Sequence, residues 1–204
     1  LTPPEYVDVL RRCTQAGGVA NDAYALGGTV TAVEAKFAQL LGKERAIFMP
    51  TGTMANHIAL RELAGAQRRV IVQAESHVYK DIGDGPQTLS GLNLIPLAPE
   101  RVTFTLEQVQ EVLQLHDSER VATGVGVISI ESMVRRLDDA MFDVDELRRI
   151  CDLARQRHIR LHLDGARLFV EAVHRGIQPA QQAALFDTVF VSLSKCFNAA
   201  AGAI

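Results

Sequence analysis

Two short apolar stretches of this 204-residue chain end in residues equipped for chemistry. His162-Leu163-Asp164-Gly165-Ala166-Arg167 delivers an imidazole, a carboxyl group and a guanidinium, and Val189-Phe190-Val191-Ser192-Leu193-Ser194-Lys195 delivers two hydroxyls and an amine. Each reads as a strand whose polar residues gather at its C-terminal end, the edge at which open parallel sheets bind ligands. Together they offer a lysine for a Schiff base, an acid for a ring nitrogen and a cation for a carboxylate. Those are the needs of pyridoxal phosphate.

Each residue also has a plain structural explanation. Lys195, partly desolvated at a strand end, can attack an aldehyde; equally, it can be a lysine snorkelling from a sheet edge. Asp164 can keep a pyridine nitrogen protonated or simply cap the turn at Gly165. With side chains alternating along the strand, His162 and Asp164 share the face opposite Leu161 and Leu163. That pair is also half of a metal site, but no third ligand stands at a useful spacing. Arg167 suits a substrate carboxylate through its planar fork, or makes a surface ion pair.

Two further stretches carry candidates. Ala46-Ile47-Phe48-Met49 reads as a buried strand entering Pro50-Thr51-Gly52-Thr53-Met54-Ala55-Asn56 and a helix. Strand, glycine turn, hydroxyl, helix is an arrangement that aims free backbone N–H groups at a phosphate, so Gly52 and Thr53 are candidate phosphate ligands. His77, after the apolar run Val70-Ile71-Val72, is a candidate for stacking on a flat ring or an ordinary turn histidine.

The elements that must position these residues alternate. Continuously apolar strands are predicted at 70–72, 92–97, 125–130, up to Asp164 and up to Ser192, separated by helices from about Thr31, Thr53, Thr105, Asp143, Leu168 and Pro179. Thr105 to Gln108 is a capping-box pattern. The helix after Asp143 carries an apolar stripe of Val144, Leu147, Ile150, Cys151 and Ala154. This is an α/β chain with a mostly parallel sheet sandwiched by helices. Residues 1–30 read as an N-terminal arm and loop, its helix making apolar contacts through Tyr6, Val7, Val9 and Leu10. Residues 31–204 read as one large domain. The start at Leu1 and the apolar finish Ala199 to Ile204 lead us to expect that a following segment is missing. Arg135-Arg136-Leu137-Asp138-Asp139 reads as a solvated loop.

Composition narrows the classes. Hydrophobic content of 48%, charge of 22% and a net charge of −3 describe an ordinary globular protein and give no reason to expect nucleic acid or anionic membrane as a partner. No apolar run approaches the roughly 20 residues that span a bilayer. No signal peptide is visible. Three distant cysteines suit a reducing cytoplasm better than a disulfide framework.

In combination these pieces resemble the threonine aldolase and β-eliminating lyase family of fold-type I pyridoxal phosphate enzymes. The resemblance runs from Tyr24 to Ile204 and rests on several motifs in order: Tyr24, Thr29-Val30, Glu34, Gly42-Lys43-Glu44, Thr51 to Asn56, Glu75-Ser76-His77, Ile130-Glu131, His162 to Arg167, and Ser192 to Lys195. It implies that Lys195 holds the cofactor as a Schiff base and that Asp164 meets the ring nitrogen. It places His77 against the ring, with a part in proton transfer, Gly52 and Thr53 on the phosphate, and Arg167 on the carboxylate of a small amino acid. It further implies a seven-stranded large domain, a smaller C-terminal domain, and active sites shared between subunits of a homodimer or homotetramer.

Three departures accompany the resemblance. Ser132-Met133-Val134 stands where threonine aldolases carry an Asn-Thr-His run that reads the substrate hydroxyl. Cys196 replaces a glycine after the lysine. The small domain, with its own carboxylate-binding arginine, is not within the 204 residues. The implied reaction is Cα–Cβ cleavage of a β-hydroxy amino acid to glycine and an aldehyde, with β-elimination as the alternative. A metal hydrolase built on His162 and Asp164 and a non-catalytic fold relative stand as readings of other classes.

Overall fold

The computed structural model describes residues 1–19, 24, 27–121 and 123–204, so most of the loop expected over 21–28 lies outside the described residues. In chain order the elements are α1 (Pro3–Gln15), α2 (Gly28–Leu41), α3 (Gly52–Ala64), β1 (Arg69–Gln73), α4 (His77–Lys80), α5 (Gly85–Ser90), β2 (Asn93–Leu97), α6 (Leu106–Asp117), β3 (Val125–Glu131), a 3-10 turn (Arg135–Leu137), α7 (Val144–Gln156), β4 (Arg160–Asp164), α8 (Leu168–Arg175), α9 (Pro179–Ala183), β5 (Thr188–Phe190) and α10 (Leu193–Cys196). The strands form one sheet in the order β2-β1-β3-β4-β5, and every pairing is parallel. This is the expected α/β sandwich, with five paired strands among the described residues.

Alternation along the strands divides the core in two. Ile71, Ile128, Ile130, Leu161 and Leu163 point to a large cluster with Ile150 of α7, Leu168 of α8, and Phe104 and Phe142 from the loops that lead into α6 and α7. Val70, Val72, Leu94 and Val127 point the other way, onto Leu60 and Ala64 of α3. Burying each such side chain contributes about 1.5–3 kcal/mol, which fixes register strongly because a one-residue slip would turn both sets inside out. The second face also receives His162 and Asp164, so the alternation that packs the core aims two polar side chains at α3.

Helix ends follow local chemistry. Asp143 Oδ1 accepts from the backbone N–H groups of Asp145 and Glu146 at 3.0 and 2.9 Å, and Thr105 and Gln108 cap α6 reciprocally.

Three expectations are corrected here. Residues 46–49 are not a buried strand: Ile47 is 63% exposed, and only Met49 makes a bridge, antiparallel to Ala203. With no strand beside them, the apolar side chains of 46–48 lack a sheet face to pack on. In α1 no residue is buried, and Val7 and Leu10 stand exposed rather than packing on the domain. The 135–139 loop is not merely solvated, because Arg135 and Arg136 both bond the carboxylate of Asp81. No helix of the described chain is long and apolar enough to cross a membrane.

Candidate active site

Reading across the sheet, the strand order reverses between β1 and β3, and the candidate residues collect outside the carboxyl ends of the strands around that point. Gly52, Thr53, His77, Ser192, Ser194 and Lys195 line one cavity of about 320 Å³. Asp164 is buried outside this lining but within reach of the charges of His77 and Lys195, and Arg167 stands apart from the cavity lining.

The phosphate end is built by the start of α3. Thr51 caps the helix, its Oγ1 accepting from Met54 N at 3.2 Å, and Ala55 N donates to Thr51 O at 3.1 Å. The N–H groups of Gly52 and Thr53 are therefore the helix-start donors that the cap does not take up. Gly52 is required by crowding: a Cβ there would stand 2.3 Å from Cζ of Phe190. Ser192 and Ser194, whose hydroxyls lie 3.2 Å apart, add donors to the same wall.

Lys195 departs from its expected placement. The strand stops at Phe190, and Lys195 sits on the single turn of α10, exposed rather than desolvated. Its charge still acts on both buried carboxyl groups of the site.

Asp164 is 2% exposed. Its Oδ2 accepts from Asn56 Nδ2 at 2.6 Å and its Oδ1 from Ala166 N at 3.2 Å. Asn56 then turns its carbonyl oxygen to Nε2–H of His162 at 3.0 Å, and Nδ1 of His162 accepts from the Thr188 hydroxyl at 2.8 Å. Burial pushes the His162 imidazole down to about 3, so it is neutral and holds this single arrangement. Both of its nitrogens are engaged within the fold. Among the described residues no group of three His, Cys, Asp or Glu side chains is placed to hold a metal ion.

Glu131 ends β3 directly beside Asp164 in register. Its carboxylate accepts from His77 N and, at 3.3 Å, from Arg135 N. Burial first, then the neighbouring Asp164 charge, push Glu131 up to about 7 against those two bonds and the charge of Lys195. Burial likewise raises Asp164, against His77, Asn56, Lys195 and the Ala166 N–H. Two buried carboxyl groups thus sit side by side, and among the described residues neither forms an ion pair. A cationic ring nitrogen above Asp164 would supply the missing counter-charge. With the open N–H groups of Gly52 and Thr53 and the amine of Lys195, the donor set fits pyridoxal phosphate.

His77 occupies the first position of α4 with Nε2 3.5 Å from the Thr53 hydroxyl and Nδ1 3.2 Å from Asp81 Oδ2. Arg167 pairs through Nε with Asp139 Oδ1 at 3.3 Å. Two of the three residues in the departed segment are engaged in the interior: Val134 is completely buried, and the Ser132 hydroxyl donates to Glu171 at 2.8 Å.

Sequence reasoning missed Asn56, the carboxylate of Glu131 and Asp81. Asn56 and Glu131 fell inside recognised motifs, but their partners lie 108 and 54 residues away along the chain. Asp81 had a local signal, the four-residue spacing from His77, but no helix was expected there.

Comparison with known proteins gives a consistent picture. A family model described as beta-eliminating lyase matches residues 10–204. The chain is 35% identical over 189 residues to an alanine racemase of Cochliobolus carbonum, covering 91% of this chain and 47% of that protein. It is 32% identical over 187 residues to a low-specificity L-threonine aldolase of Candida albicans, covering 90% and 49%. A Listeria monocytogenes EGD-E protein solved as a candidate L-allo-threonine aldolase superposes with a TM-score of 0.84 at 32% identity, over 97% of this chain and 54% of that one. The chain spans about half the length of the curated relatives it matches.

Proposed function

This chain belongs to the beta-eliminating lyase family, and on that footing we propose that it acts as a pyridoxal phosphate-dependent lyase cleaving the Cα–Cβ bond of a small β-hydroxy amino acid to glycine and an aldehyde. The observation that carries the reading is the meeting of Lys195, His77, Gly52 and Thr53 around one cavity, near a buried Asp164 that forms no ion pair among the described residues. The threonine aldolase names of its relatives support the choice of substrate class.

When bound, pyridoxal phosphate supplies an electron-withdrawing ring that accepts electrons from the bond broken at the substrate α-carbon. Lys195 holds the cofactor's aldehyde through its amine. The N–H groups of Gly52 and Thr53, with the nearby hydroxyls, hold the phosphate. Asp164, braced by Asn56 and Ala166 N, keeps the ring nitrogen charged. His77, in the cavity wall, would stand against the ring and take the proton of the substrate hydroxyl. Arg167 turns from Asp139 to the substrate carboxylate, which suits its planar donors better than one carboxylate oxygen at 3.3 Å. We place the working enzyme in the cytoplasm as a homodimer or homotetramer.

A second reading, β-elimination, is favoured by one observation: buried Val134 cannot read a substrate hydroxyl. Product analysis separates the two. Incubation of the cofactor-loaded protein with L-threonine gives glycine and acetaldehyde under the leading reading and 2-oxobutyrate and ammonia under the second. Racemised amino acid alone overturns both. Borohydride treatment must fix the cofactor to Lys195; a label on any other lysine overturns the assignment of that residue.

A further inference from the structure

We propose that Asp81 is the positioning residue of His77, and that Arg135 and Arg136 hold Asp81 so that the imidazole carries its proton on Nδ1 and presents an unprotonated Nε2 to the cavity. The proposal deepens the lyase reading and rests on it for the identity of the reaction.

The geometry is a closed circuit around one ring. The backbone N–H of His77 is held by Glu131 Oε2, and its Nδ1 lies 3.2 Å from Asp81 Oδ2. Arg135 donates to the same Asp81 oxygen at 3.0 Å, and Arg136 donates to the other. The backbone N–H of Arg135 returns to Glu131 Oε1. The ring is thus tied at its main chain and at one nitrogen. Its remaining nitrogen, Nε2, faces Thr53 in the cavity wall that also holds Lys195.

Chemistry then sets the proton. Burial alone would raise the Asp81 carboxyl, but the bonds from Arg136, Arg135 and His77 outweigh it and hold it at about 2. An ionised carboxylate only accepts, so the hydrogen on the Nδ1···Oδ2 bond belongs to Nδ1. A neutral imidazole has one N–H, which leaves Nε2 with its lone pair, and the Thr53 hydroxyl can donate to it. Nε2 is thereby the basic atom of this ring that faces the cavity, whereas Val134 is buried and the Ser132 hydroxyl is bonded to Glu171. The turn that follows Val134 supplies the two arginines that hold Asp81 against His77.

Imidazole 15N NMR of the purified chain, labelled at histidine and recorded at about pH 9, well above the roughly 6.5 of a free imidazole, reports the tautomer without cofactor or substrate. His77→Gln identifies the resonance. The Nδ1–H form should dominate, and in Asp81→Asn, whose amide can offer either oxygen or N–H, it should fall to about half or less. An Nε2–H ring in the unmodified chain, or an unchanged spectrum in Asp81→Asn, overturns the proposal. In steady-state cleavage of L-threonine, Asp81→Asn should lower kcat about 10- to 100-fold with KM within about twofold, and Asp81→Glu should recover most of it. A rise in KM with kcat unchanged also overturns it. If the unmodified protein cleaves nothing, the lyase reading fails, and the tautomer still decides the role of Asp81.

Discussion

Glu131 and Asp164 end adjacent parallel strands in register, so two buried carboxyl groups stand side by side, within reach of the charge of Lys195. Neither has an ion-pair partner among the described residues, and both are raised, Glu131 to about 7.

This pair makes stability depend on pH in a defined direction. Between the ordinary glutamate value of 4.5 and about 7, the folded chain holds a proton at Glu131 that the unfolded chain has released. The contribution is complete below the lower value and is lost as pH rises through the upper one, by on the order of 3 kcal/mol. The urea midpoint should therefore fall between about pH 5 and about pH 8, and Glu131→Gln should remove that part of the fall. The amide can serve only one of the two backbone N–H groups that Glu131 now serves, so the variant should also be weaker at the lower pH.

Among the described residues, Asn56 is the side chain that bridges Asp164 and His162. Truncation in Asn56→Ala leaves two buried polar groups unpaired, and we expect a loss of about 2–4 kcal/mol in denaturant unfolding. Asn56→Asp should be at least as damaging, because it sets another carboxylate against Asp164. An unchanged midpoint in both would show that the bridge is not formed in solution.

Gly52→Ala forces a methyl against the buried ring of Phe190, and overpacking of this kind costs about 1–3 kcal/mol. Cofactor affinity, read by fluorescence titration, should weaken with it. Adding Phe190→Leu should return the stability, because the collision is with that ring and not with backbone.

Arg167→Ala tests the assignment of the substrate carboxylate. Loss of a charged, paired set of donors should raise KM for L-threonine about 10- to 100-fold, with a smaller effect on kcat. Arg167→Lys should recover little, since an ammonium cannot reproduce the planar fork.

Much of the fold was legible because its strands carry two packed faces. The alternation of Leu161 and Leu163 with His162 and Asp164 was readable as a sheet edge before any contact was known. The 46–49 run failed the same logic: being apolar does not make a strand without a neighbour to pair with, and only Met49 finds one. Lys195 was placed near its correct location but on the wrong element, since Leu193-Ser194-Lys195-Cys196 is too short a segment for periodicity to declare a helical turn. The Asp81 clamp stayed hidden because it joins residues 54 and 55 positions apart, and charged side chains far apart in a sequence carry no sign of which will meet.

The row of hydrogen bonds from Thr188 through His162 and Asn56 to Asp164 has one polarity from end to end: hydroxyl to Nδ1, Nε2–H to carbonyl, amide N–H to carboxylate. Such a row looks like a proton wire, but its third link is an insulator, because a carboxamide nitrogen does not surrender its hydrogen near neutral pH. The interior of the sheet can polarise Asp164 and cannot exchange protons with it along this path. Any proton that Asp164 gains or loses must travel by another route, and Glu131, in register beside it and raised to about 7, is a neighbour that can hold one.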